Sequence, residues 1–213
     1  MTSFDFVTLD VPDVAAAERF YTAAFDLGDR LRFRQAAAPS TGFRGFTLSL
    51  TVSQPANAVA YLDAALAAGA TALKPAAKSL WGFGGVVRAP DGAIWKVATS
   101  AKKDSGAGVR EYDQMVLLLG ASDVAAAKQF YVSHGFAVGK SYGRKYVEFE
   151  TSPIKLALYG RKALAKDAGV PEAGSGSHLL TVGGDAGRIT DPDGFGWEAS
   201  VLAEGCGPAT PPD

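Results

Sequence analysis

The sequence is poor in the residues that most often carry chemistry: it has one cysteine, Cys206, and two histidines, His134 and His178, in 213 residues. A single cysteine excludes an intrachain disulfide and any multi-cysteine zinc site. Charge of one sign is also lacking, since 21 Lys+Arg against 22 Asp+Glu leave a formal net charge of −1. The basic residues are scattered, so neither nucleic acid nor a membrane is an expected partner. No apolar run reaches the ~18 residues that a transmembrane helix needs. Met1-Thr2-Ser3-Phe4-Asp5 shows no basic region followed by an apolar stretch, so no secretory leader is expected and a cytoplasmic location is the expectation. Gly82-Phe83-Gly84-Gly85 is not followed by Gly-Lys-Ser/Thr, so it reads as bends in a strand and not as a phosphate loop. Gly174-Ser175-Gly176-Ser177 fails the spacing of a nucleophile elbow.

Hydrophobic residues are plentiful, at 47% of the chain, which is enough for an ordered core. The organising feature is an internal repeat. Asp13-Val14-Ala15-Ala16-Ala17-x-x-Phe20-Tyr21 recurs as Asp123-Val124-Ala125-Ala126-Ala127-x-x-Phe130-Tyr131, seven identities in nine positions at an offset of 110. Leu9 and Val11 alternate with polar residues, as in a half-buried strand. Asp13 and Asp123 stand where a helix N-cap belongs. The following residues repeat one helical face, and His134-Gly135 reads as the end of the second helix. A second shared element is a turn: Ala89-Pro90-Asp91-Gly92 before Trp95-Lys96, and Asp191-Pro192-Asp193-Gly194 before Trp197-Glu198.

Between these markers the halves differ. The first carries a predicted strand at 46–52 and a helix at 56–68 with a stripe of Val59, Leu62 and Leu66. The second carries predicted strands at 145–150, 154–159 and 177–182 and a short helix at 162–168. Residues 1–100 and 112–203 are therefore read as two copies of one α+β unit. A mobile linker is expected at 101–111 and a mobile tail at 204–213.

The strand-Asp-helix-Phe-Tyr opening and the Asp-Pro-Asp-Gly-x-x-Trp-Glu close resemble the glyoxalase/bleomycin-resistance/dioxygenase superfamily, also called vicinal oxygen chelate proteins. The resemblance implies tandem βαβββ modules forming curved, mixed or antiparallel sheets with a cup, helices on the outer face. Each half holds one complete module and one shortened one. The first half has room for only part of three strands between Gly28 and Gly45, and the second lacks a helix after 177–182.

Metal-dependent members bind a divalent ion in the cup. Their ligands are a His or Gln seven residues before the capping Asp and a Glu just after the turn. Here the first positions are Phe6, Thr47 and Val116, the first turn is followed by Lys96, and Ala157 stands where glyoxalase-type enzymes have a carboxylate. His178 and Glu198 remain as candidate ligands, catalytic residues or metal site, and two donors do not make a tight site. Glu148 or Glu150 could join them only if the fold aims one into the same cup.

A cup lined with aromatic residues suits a flat organic ligand. The expected ligand-binding residues are Trp81, Phe83, Tyr146, His178, Trp197 and Glu198. The preferred expectation is a protein that binds a small hydrophobic or aromatic molecule, with a degenerate metal site and no cofactor. The competing expectations are a metal-dependent lyase, isomerase or dioxygenase using His178 and Glu198, and a structural or interaction module with closed cups. A homodimer is compatible with any of them.

Overall fold

The computed structural model describes residues 2–80 and 82–200. Four units organise the chain, and three of them open with a strand followed by a helix. The first gives β1 (Thr2–Val11), α1 (Val14–Ala24), β2 (Leu31–Gln35) and the short β3 (Thr41–Gly42). The second is a complete βαβββ unit: β4 (Phe46–Thr51), α2 (Pro55–Ala67), β5 (Thr71–Ser79), β6 (Gly82–Arg88) and β7 (Ile94–Thr99). The third is also complete: β8 (Gln114–Ala121), α3 (Val124–Ser133), β9 (Val138–Tyr142), β10 (Tyr146–Phe149) and β11 (Thr151–Gly160). An inserted helix α4 (Arg161–Ala168) and β12 (Gly174–Ser175) follow, and the last unit is β13 (Leu180–Gly184), β14 (Ile189–Thr190) and β15 (Gly196–Ala199).

The helix starts follow from capping. The Asp13 carboxylate accepts from the N–H of Ala16 at 2.9 Å, and Asp123 accepts from Ala125 at 2.8 Å and Ala126 at 3.2 Å. At the other end of α3 the His134 ring caps the carbonyl of Phe130 and packs at a tilt against its ring, and Gly135 takes the left-handed conformation at φ +87°. The stripe on α2 is rotated from the expected one. Val59 and Leu66 are exposed, while Ala58, Tyr61, Leu62 and Ala65 are buried, because α2 packs against α1 as well as β6 and small residues let the helices approach.

Strand pairing crosses the two halves. The two complete units meet edge to edge through antiparallel β4 and β8, giving the order β5-β6-β7-β4-β8-β11-β10-β9. The two shortened units meet through antiparallel β1 and β13, giving β2-β1-β13-β15-β14. A parallel contact between Thr2–Phe4 and Thr151–Pro153 makes the two sheets continuous. Segments 1–100 and 112–203 thus contribute strands to both sheets, and neither builds a sheet alone.

Both sheets place one face on a common core that holds α1, α2 and α3. Leu48, Leu50, Trp95, Leu117 and Leu119 of the larger sheet and Val7, Leu9, Val182 and Trp197 of the smaller one all point there. The linker expected to be mobile is tied to α2. The buried Gln54 amide oxygen accepts from the N–H groups of Ser105 and Gly106, and Asn57 accepts from Val109. Cys206 and the tail lie outside the described residues.

Candidate functional site

The face of the larger sheet turned away from the core is the cup. Registers place Ser49, Lys96 and Val116 in one row, with Thr47, Leu118 and Ala157 in the next. Thr47, Val116, Lys96 and Ala157 are the four positions where the superfamily pattern puts metal ligands, and the chain has no donor set there. Lys96 Nζ instead pairs with Asp167 Oδ2 of α4 at 2.8 Å.

Helix α4 lies on this cup. Leu164, Ala165 and Ala168 pack with Phe43, Val86 and Ile94 into a small second core, against Leu118 and Tyr159 of the cup floor. Polar ties hold it there. Lys74 Nζ donates to the carbonyls of Lys166 and Asp167, and Arg161 donates to those of Phe43 at 2.9 Å and Gly174 at 3.0 Å. Beneath it, the Ser49 hydroxyl is buried with no partner among the described residues.

The helix leaves a cleft on either side. One, of about 320 Å³, is lined by Lys74, Ala77, Phe83, Gly84, Lys96 and Asp167. Its floor is flat because Gly84 has no side chain and the carbonyl of Val97 would lie 2.6 Å from any Cβ. The other, of about 480 Å³, is lined by Arg144, Lys145, Tyr159, Lys162, Lys166 and Glu172 among others.

Among the described residues, no helix covers the polar outer face of the smaller sheet. Phe6 lies flat on Gly183, with the Arg32 guanidinium 3.4 Å above the ring centroid. Arg34 makes a two-pronged contact with Asp10, at 2.8 and 3.2 Å, and also donates to Thr181. Glu198 is half-buried and pairs in register with Gly183, as Lys96 does with Ser49. Two residues before Ser49 stands Thr47, so the matching position before Gly183 is Thr181, not His178.

His178 lies outside the strand that the sequence suggested for it. It is exposed in a 3-10 turn, Ser177–Leu179, that precedes β13. Four residues lie between it and Gly183, the register partner of Glu198, so it precedes the strand position that faces Glu198. Among the described residues no group of three or more His, Cys, Asp and Glu side chains is arranged to hold a metal. The donors therefore do not fit the divalent ion that the superfamily pattern implies.

The repeated residues have a different task. Trp95 Nε1 donates to the Tyr21 hydroxyl at 3.4 Å, and Tyr21 donates to Asp91 at 3.1 Å. In the second half Trp197 Nε1 donates to Tyr131 at 3.3 Å, and Tyr131 donates to Asp191 at 2.9 Å. Each relay clamps a helix to the hairpin of the following unit. The carboxylate moves within the turn, since Asp91 aligns with Asp193 and Asp191 with Ala89. Burial raises all four of these groups, and each tyrosine is raised further by its carboxylate partner. These are packing devices turned toward the core, and Trp197 belongs to one of them. It is buried in the core, 2% exposed.

The expected site residues therefore disperse. Phe83 borders the smaller cleft. Tyr146 stands at the far side of the same cup, edge-to-face with Tyr159 and donating to Glu148 at 3.0 Å; its hydroxyl is raised by burial and then by Glu148. Glu198 is on the other sheet, His178 is exposed in the turn before β13, and Trp81 lies outside the described residues. Glu150 is exposed, whereas Glu148 faces the larger cup and pairs with Lys140 at 3.6 Å. Sequence reasoning missed Lys74, Asp167 and Leu164. A signal existed in Lys96, because a cation facing a cup calls for a counter-ion.

These sheets, units and cup define the fold of the glyoxalase/bleomycin-resistance/dioxygenase superfamily, and the chain has that fold. Among solved structures it is similar to glyoxalase I from Zea mays, with a TM-score of 0.60 over 93% of this chain and 92% of the other at 12% identity. It is also similar to a putative dioxygenase from Bacillus subtilis, with a TM-score of 0.51 over 90% of this chain and 71% of the other at 9% identity. No protein-family model matches the chain, and no curated protein matches it.

Proposed function

We propose that the protein binds a small, flat hydrophobic or aromatic molecule in the larger cup without a metal ion. The observation that carries this reading is the identity of the cup positions: Thr47, Val116 and Ala157 offer no ligand pair, and Lys96 is committed to Asp167. Binding falls in the cleft beside α4, where Gly84, Ala77 and Ala98 make a flat floor and Phe83 an aromatic border. The test has two arms. Purified protein incubated with zinc, nickel or manganese and desalted retains no stoichiometric metal, and neutral aromatic probes raise its thermal midpoint. Ala98→Leu, which fills the cleft, abolishes the probe effect. Stoichiometric metal lost on His178→Ala, or probe binding insensitive to Ala98→Leu, overturns the reading.

A second reading is favoured by α4 itself. Leu164, Ala165 and Ala168 close the centre of the cup as packed residues do, which supports a non-catalytic interaction module. Failure of every small probe to bind, with the fold intact, would select it.

A further inference from the structure

The larger of the two clefts has a charge pattern that the proposed function does not use. It lies between α4 and the β10–β11 end of the cup, with Tyr159 as its aromatic wall. Arg144 and Lys145 reach it from the turn between β9 and β10, and Lys162 and Lys166 from α4. All four are exposed, and among the described residues none of these side chains pairs with a carboxylate. Two of the nearby acids are already occupied. Glu148 takes Lys140 and the Tyr146 hydroxyl, and Asp167 takes Lys96. Glu172 is the one carboxylate in the lining. Lys162 and Lys166 are moreover one helical turn apart, a repulsive spacing. In a chain of net charge −1, this is a local excess of cations gathered around a concavity.

Such an arrangement lowers the potential energy of an anion and repels a cation. The cations converge on one bounded cleft of about 480 Å³ and do not form a stripe, which suits a small molecule and not a nucleic-acid backbone. Resting on the reading that this cup takes small molecules without metal, we infer that the cleft recognises an organic anion, a carboxylate or a phosphate, attached to a flat ring. The anionic group meets Lys162, Lys166 and Arg144, and the ring lies against Tyr159.

The test is calorimetric titration of the full chain with benzoate, phenyl phosphate, inorganic phosphate and benzyl alcohol, at low and high salt. Benzoate or phenyl phosphate binds at least ten-fold more tightly than benzyl alcohol, and which of them wins identifies the anion. Binding weakens about ten-fold or more in Lys162→Gln/Lys166→Gln and with added salt. Tyr159→Leu lowers the affinity for the ring-bearing anions and leaves that for inorganic phosphate unchanged. The lysine variant should keep or raise its thermal midpoint without ligand, since it removes a repulsion, which separates lost binding from lost fold. Benzyl alcohol binding as tightly as the anions overturns this inference while leaving the small-molecule reading intact. No binding by any probe overturns both. A duplex oligonucleotide binding more tightly than phenyl phosphate, with the same lysine dependence, also overturns it.

Discussion

Tyr21 and Tyr131 show what the repeat maintains. Each hydroxyl sits between an indole N–H and a carboxyl, buried for Asp191 and half-buried for Asp91, so removing it strands two polar groups at once. Tyr131→Phe should cost about 1–3 kcal/mol, read from urea denaturation, because a buried group left unpaired loses its solvation. The carboxyls make a second prediction, in pH. Burial raises Asp91 and Asp191 above the ordinary carboxylate value. The stability each contributes is therefore complete below the unfolded value of about 3.9 and is lost as pH rises through the raised one. Asp91→Asn/Asp191→Asn removes that loss. Its thermal midpoint should gain on the parent's as pH is raised from 4 toward 7; a constant difference would show that the carboxyls are not perturbed.

The elements divide into those the residues announce and those they do not. The openings at Asp13 and Asp123 were legible because capping, apolar alternation and a fixed Phe-Tyr pair act within a few residues. Strands β5 and β9 were not, since β5 is exposed along almost its whole length and β9 along most of its own, and neither shows alternation. Helix α4 was expected as a helix but not as the filling of a cup. Amphipathicity tells that a face is buried and not against what. The same gap misplaced His178, because strand register is a property of partners distant in sequence. Leu164 is the anchor of α4, 1% exposed. Leu164→Ala should cost about 2–5 kcal/mol by denaturation. It should also raise amide exchange in α4 ahead of α2 and α3, since α4 rests on the second core and they rest on the first.

At the scale of the molecule, the chain order and the spatial order disagree. β1 needs β13, and β4 needs β8. A fragment ending near residue 104 and its complement should each fail to give a cooperative transition alone, and should regain one when mixed at equal concentration. Independent folding of either fragment would contradict the cross-pairing. Only the cap-and-clamp framework of this architecture could be read from the repeat. The exchange of strands between halves could not, because either way of pairing satisfies the same hydrophobic pattern.

The meeting of β1 with the last unit has one more consequence. Ser3 N–H donates to Asp185, Ser200 N–H donates to Gly184, and the Ser200 hydroxyl reaches Asp5. Residues far apart in sequence thus lie side by side, while the linker at 101–111 bridges units that β4 and β8 already join. A circular permutant that connects residue 200 to residue 2 and opens between 105 and 107 would run the small sheet as one continuous stretch and keep every strand neighbour.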